Sequence, residues 1–210
     1  MKPTHEQKKI INAKGRVVKI NARAGTGKTA TLLMLAQQYP DTKILYLVFN
    51  SRNRQEAKSK FPHNVDVHTI HSFALSALGS SFDGFESVRP SQFLKHFRAN
   101  KETLATLTSD FIVFFLNSAY RKPDQAIDPY KQQLSDELRE IFTRSKMDIN
   151  EISRTSLNSW YKTKKDCPHD FYLKLSHLEN KFQDKLAKYE LVLIDEGQDL
   201  SPIMIDALST

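Results

Sequence analysis

Apolar residues gather in the run Ile44-Leu45-Tyr46-Leu47-Val48-Phe49. Its β-prone composition predicts a strand covered on both faces, as in a parallel sheet. A shorter run, Val17, Val18 and Ile20, leads into residues 22–29, and Ala30, Leu32, Leu33 and Leu35 then repeat at helical spacing. The order predicted is strand, loop, helix, with the helix reaching about Gln38 and stopping before Pro40, which cannot continue it. The 17–20 strand is expected to pair in parallel with the strand over 44–49. Val65-Asp66-Val67 reads as a third strand and Leu191-Val192-Leu193-Ile194 as another buried one. Between about Ser80 and Lys188 strand-like runs give way to helical stripes. Leu104, Leu107, Phe111 and Phe114 form one; Tyr130, Leu134, Leu138 and Ile141 form another; Leu175, Leu178, Phe182, Leu186 and Tyr189 form a third. Pro123, Pro129 and Pro168 punctuate the connections. The pattern predicts an α/β fold with a parallel sheet, interrupted by an all-helical insertion.

The loop between the first predicted strand and helix is Ala22-Arg23-Ala24-Gly25-Thr26-Gly27-Lys28-Thr29. Gly25 and Gly27 permit a tight curl that aims backbone N–H groups at the open end of a helix, where partial positive charge favours phosphate oxygens. Lys28 then reaches the terminal phosphates, and the Thr29 hydroxyl is placed to ligate Mg²⁺. The general phosphate-loop pattern has Gly at its first position, where this chain has Ala22. Upstream, Thr4 and Gln7 have capping-box spacing before Ile10 and Ile11. The Gln7 amide, both donor and acceptor, is also a candidate reader of the adenine edge.

The strand over 191–194 ends at Asp195-Glu196-Gly197-Gln198-Asp199. Carboxylates after a buried strand supply the other half of an NTP site, with Asp195 holding the hydrated Mg²⁺ and Glu196 orienting and deprotonating the attacking water. Ser201 and Pro202 read as the cap and first residue of a following helix.

Charge sharpens this picture. The net charge is +7, and residues 1–79 carry 13 Lys/Arg against 4 Asp/Glu, whereas residues 191–210 carry no Lys/Arg and 4 Asp/Glu. A basic amino-terminal segment of this size attracts polyanions. Trp160 and Tyr161 beside Lys162, Lys164 and Lys165 mix aromatic and basic groups as single-strand binders do, although the aromatic stripes are read first as core. The lone cysteine, Cys167, excludes an internal disulfide and suits a reducing intracellular setting. The longest apolar run, Phe111 to Leu116, is too short to span a bilayer. No membrane partner is expected.

The chain resembles the UvrD/Rep-type superfamily 1 DNA helicases, most closely their F-box branch, over essentially its whole length. Ala22-x-Ala24-Gly25-Thr26-Gly27-Lys28-Thr29 is the form the phosphate loop takes in that family, which accounts for Ala22, and Gln7 falls where the family's adenine-recognising glutamine lies. Asp195-Glu196-Gly197-Gln198-Asp199 resembles its DEAQD box with Gly197 in place of Ala, and His169-Asp170 followed by Tyr172-Leu173-Lys174 is similar to a segment of the F-box branch. Phe49, Asn50 and Arg52, and the stretch Thr69-Ile70-His71-Ser72-Phe73-Ala74, look like the family's two single-strand-contacting motifs.

The resemblance implies a RecA-like P-loop NTPase domain from residues 1–80 and 189–210, with 81–188 as the helical insertion. It implies ATP and Mg²⁺ as cofactors, and single-stranded DNA or a single-strand/duplex junction as partner, with Thr69, His71, Ser72 and Phe73 among its contacts. Gln198 would sense the γ-phosphate. Movement would run 3′ to 5′, in the cytoplasm of a prokaryotic or viral system or in a eukaryotic nucleus. A second RecA-like domain, with the arginine finger, would complete the motor, so these 210 residues alone are expected to bind nucleotide but to hydrolyse it slowly. Two other classes fit the loop and carboxylates less fully: a different P-loop ATPase indifferent to DNA, and a non-catalytic single-strand-binding module.

Overall fold

The structure, a computed structural model, describes residues 2–22, 25–79 and 81–209. Along the chain run α1 (His5–Ile11), α2 (Lys28–Gln38), β1 (Ile44–Val48), α3 (Ser51–Lys60), β2 (Val65–Thr69) and α4 (Ile70–Leu78). Then follow β3 (Asp83–Phe85), α5 (Lys101–Asn117), α6 (Pro123–Gln132), α7 (Asp136–Thr163) and β4 (Lys165–Cys167). Last come α8 (His169–Leu178), α9 (Lys181–Leu186), β5 (Leu191–Ile194) and α10 (Pro202–Leu208). Two compact units result: Met1–Thr69 with Ala187–Gln198, and Ile70–Leu186 with Asp199–Thr210.

The first unit is built on a parallel sheet of order β2-β1-β5. All five residues of β1 are buried, at 3% exposure or less. Each large apolar side chain hidden this way contributes roughly 1.5–3 kcal/mol, so the most apolar run of the unit takes the central position. Ile44 pairs with Val65 on one side and Leu191 on the other. The Asp195 N–H continues the ladder by donating to the Leu47 carbonyl at 3.0 Å. The sheet, in this way, carries Asp195 to the carboxyl end of the central strand, the end where open α/β sheets bind ligands.

Residues 17–20 form no strand. Val17, Val18 and Ile20 are 85%, 45% and 41% exposed, and β1 pairs instead with β2 and β5. Three apolar side chains interrupted by Lys19 hide too little surface here to offset the entropy of an ordered strand. Thr4 and Gln7 close the predicted reciprocal capping box on α1, and α2 stops at Gln38 as predicted. The Asn50 side chain caps α3 by accepting from the Asn53 N–H at 2.8 Å.

The second unit packs a separate core around α5. Phe111, Ile112 and Leu116 are fully buried with Phe142 and Ile149 of α7. This unit is not all-helical, because β3 and β4 form a two-stranded parallel sheet with Phe85 opposite Cys167. Segments of three residues with charges at Asp83, Lys165 and Asp166 give no strand periodicity to read. The stripe from Tyr130 to Ile141 is shared by two helices, since the chain leaves α6 at Gln132 and Ser135 caps α7. Pro129 lies inside α6 rather than in a connection; the helix begins only at Pro123, so the proline forfeits a single bond near its middle. The third stripe also divides, with Leu175 and Leu178 on α8, Phe182 and Leu186 on α9, and Tyr189 beyond both. α4 belongs to this unit because Phe73 packs edge-on against Phe182 with ring centroids 5.0 Å apart. The compact units therefore change over at Thr69, Ala187 and Gln198, whereas the sequence boundaries fall at 80/81 and 188/189. Among the described residues no helix is long and apolar enough to cross a membrane.

Candidate nucleotide site

Gly27 precedes α2 in the left-handed region at φ 80°, and no side chain caps that helix end. Gly25 has φ 78°. A side chain at either position would be strained there, which is the physical need for glycine in this loop. The unconsumed N–H groups at the start of an eleven-residue helix offer positive potential to an anion.

Against this helix start stands the end of β5. Glu196 follows Asp195 with φ 51°, a backbone state rare for a non-glycine residue and found preferentially at functional sites. The turn brings its carboxylate to Lys28, whose Nζ lies 2.8 Å from Oε1 across 168 positions of sequence. Gln198 Nε2 donates to the other oxygen, Oε2, at 2.6 Å. Hydrogen bonds from Lys28 and then Gln198 hold the Glu196 carboxyl below its ordinary range, and the same bond to Glu196 pushes the Lys28 ammonium above its own. Both side chains keep about a third of their surface in solvent, at 31% and 34%, so the pair is accessible to a competing anion.

Asp195 is fixed from two sides. Its Oδ1 accepts the Glu196 N–H at 3.1 Å, and its Oδ2 accepts the Tyr46 hydroxyl at 3.1 Å. Burial first, and the neighbouring Asp195 second, push the phenol above its ordinary range, so it stays protonated and donates. The sequence reading missed Tyr46 as a site residue. Its signal was a polar handle inside an otherwise aliphatic strand, which a buried phenol carries only where a partner meets it.

Lys28, Asp195, Glu196 and Gln198 line a cleft of about 750 Å³ together with Thr4, Gln7, Ala22 and Thr26, a volume suited to a nucleotide-sized ligand. Gln7 caps α1, its Oε1 accepting the Thr4 N–H at 2.9 Å, and its Nε2 lies beside the phosphate loop, 3.4 Å from where a Cβ on Gly27 would stand. Arg23 and Ala24 lie outside the described residues. Gly197 needs no glycine conformation and an added Cβ would meet nothing within 4 Å. Gly197→Ala is therefore expected to stabilise the protein by about 0.4–1 kcal/mol through the unfolded chain, with ATP affinity unchanged, as urea unfolding and a binding titration would show.

The residues read as single-strand contacts divide between the units. In the first, Phe49 is 60% exposed after β1, Arg52 is exposed on α3, the Asn50 amide oxygen is engaged in capping, and Thr69 closes β2. In the second, His71 and Ser72 are partly buried on α4, and Phe73 is fully buried. Phe73 thus belongs to the core and cannot touch a strand directly; spacing alone does not reveal which face of α4 is covered. Trp160 likewise packs on Phe171 at 5.5 Å, leaving Tyr161, 54% exposed, as the accessible ring of that patch. Two motifs noted separately in the sequence meet in this unit, since Asp170 accepts from His71 Nε2 at 2.9 Å and from Asn117 at 3.1 Å. Burial alone would raise the Asp170 carboxyl, but those two hydrogen bonds hold it below its ordinary range.

A lysine-bearing glycine loop at a helix start, joined to a carboxylate pair at the end of a neighbouring parallel strand, is the arrangement of a P-loop NTPase, and the profile of the AAA domain family matches residues 7–210. The chain belongs to the AAA domain family. Within it, the chain is 30% identical over 236 residues to F-box DNA helicase protein 1 of Schizosaccharomyces pombe, covering 98% of this chain and 26% of that one. It is 29% identical over 236 residues to F-box DNA helicase 1 of Gallus gallus, covering 98% and 22%. These similarities bear out the resemblance to the F-box branch of the superfamily 1 DNA helicases. The AAA domain chain spans about a quarter of the length of these relatives. No solved structure matches it at a significant level.

Proposed function

We propose that this chain is the ATP-binding portion of a UvrD-type DNA helicase, which couples ATP binding and hydrolysis to 3′–5′ movement along single-stranded DNA. The observation that carries the reading is the 2.8 Å contact between Lys28 and Glu196, with Asp195 anchored beside them at the strand end. A triphosphate entering the cleft competes with Glu196 for the Lys28 ammonium. Released from that pairing, Glu196 is free to orient a water and accept its proton. Gln198, already hydrogen-bonded to Glu196, is placed to register the γ-phosphate and pass its presence on.

Thr29 and Asp195 would hold Mg²⁺. The Tyr46 phenol anchors the Asp195 carboxylate, and one carboxylate with one hydroxyl is the sparse, hard-oxygen donor set that leaves room for water and phosphate around this ion. When bound, Mg²⁺ neutralises charge on the phosphate oxygens. Residues 1–80 and 189–210 form the first RecA-like domain in this reading, residues 81–188 its insertion, and a second RecA-like domain supplies the arginine finger. Phe49, Asn50, Arg52, Thr69, His71 and Ser72 contact the strand, with Phe73 supporting α4 from beneath.

The test is ATP turnover of the full-length protein, with and without single-stranded DNA, for wild type, Lys28→Ala and Glu196→Gln. DNA-stimulated hydrolysis lost in both variants supports the helicase reading. A rate indifferent to DNA assigns the protein to another class of P-loop ATPase, and DNA binding without turnover in any form assigns it to non-catalytic binders.

A further inference from the structure

We propose that Tyr46 is a positioning residue for the metal side of the nucleotide site, setting the orientation of Asp195 toward the cation that accompanies the triphosphate. The inference rests on the nucleotide reading and adds a residue to which neither the phosphate loop nor the acidic box points.

The strand supplies the reason to look. β1 reads Ile-Leu-Tyr-Leu-Val, and Tyr46 at its centre is 1% exposed. A hydroxyl placed so deep is unfavourable unless it is hydrogen-bonded, and a phenylalanine would fill the same space without that requirement. The ring is held by Phe61, with centroids 4.7 Å apart and planes inclined at 39°. That packing directs the hydroxyl at Asp195 Oδ2, 3.1 Å away.

A phenol has one proton to give. It goes to Asp195 Oδ2. The Asp195 carboxylate, gripped at Oδ1 by the Glu196 N–H and at Oδ2 by Tyr46, is held in one plane while each oxygen keeps a lone pair. Outer partners of this kind orient metal ligands, and their removal typically costs 10- to 100-fold in metal affinity.

The experiment is a fluorescence titration of a methylanthraniloyl-labelled ATP analogue against the full-length protein, in EDTA and then with rising Mg²⁺. Tyr46→Phe preserves the ring and its contact with Phe61, and a thermal melt checks that the fold has held. The expected result is a Mg²⁺ midpoint raised about 10- to 100-fold, with affinity in EDTA within twofold of wild type. In an Asp195→Asn background, Tyr46→Phe should raise the midpoint by less than it does alone, because the carboxylate that the phenol orients has gone. An unchanged midpoint overturns the inference, and so does an equal loss of affinity in EDTA, which marks a packing role. Additive effects of the two substitutions also overturn it. If the wild-type protein binds no nucleotide, or Lys28→Ala binds it equally well, the nucleotide reading itself fails and this inference with it.

Discussion

Replacing Lys28 with alanine is expected to leave a folded protein that no longer retains ATP and has lost about 10²- to 10³-fold of its turnover, the scale seen when a preorganised charge-stabilising donor is removed. Among the described residues the ammonium is the positive charge placed between the start of α2 and the carboxylates after β5, at 2.8 Å from Glu196. Without it a triphosphate would face the Asp195 and Glu196 carboxylates with that attraction lost. The fold should survive, because an ion pair this accessible to solvent adds little to stability. A nucleotide titration alongside a thermal melt checks both halves: affinity falls sharply while the melting temperature barely moves. Retained affinity would mean that phosphate does not sit at Lys28.

Glu196→Gln has the opposite signature. Turnover should fall by about 10²- to 10⁴-fold, the usual contribution of a positioned general base, while ATP binds at least as tightly as before. The asymmetry follows from the geometry. In the wild type the carboxylate competes with the triphosphate for Lys28, and a neutral amide competes less. The substitution keeps the size of the side chain and demands nothing new of the backbone at φ 51°. Steady-state turnover and equilibrium affinity measured on one preparation separate the two quantities. A variant that loses both in proportion would place Glu196 in binding rather than in the chemical step.

The parts of this site that were legible in the sequence are those where one side chain type answers one local need. Gly25, Gly27, Lys28 and Thr29 lie in consecutive order before a helical pattern, and Asp195 and Glu196 terminate a buried strand, so type and spacing together carried the reading. What the sequence could not show depends on partners distant along the chain. Tyr46 looks like any strand aromatic until the fold sets it beside Asp195, 149 positions away. Phe73 looks available until Phe182 covers it. The run Val17-Val18-Lys19-Ile20 has strand-like residues but no described strand partner, so pairing rather than propensity decided its state. The helical stripes predicted which residues are buried better than where helices end, since a turn such as that around Ser135 can pass a hydrophobic face from one helix to the next without breaking its period.

The central claim, that folding sets the Glu196 carboxylate against the Lys28 ammonium in a phosphate-binding cleft, is tested most directly by zero-length carbodiimide coupling followed by peptide mass spectrometry. The account predicts an amide cross-link between Lys28 and Glu196 that forms in the free protein and is suppressed by ATP with Mg²⁺. Failure to find that cross-link under conditions that join other close ion pairs of the protein, or a yield indifferent to ATP, would contradict it.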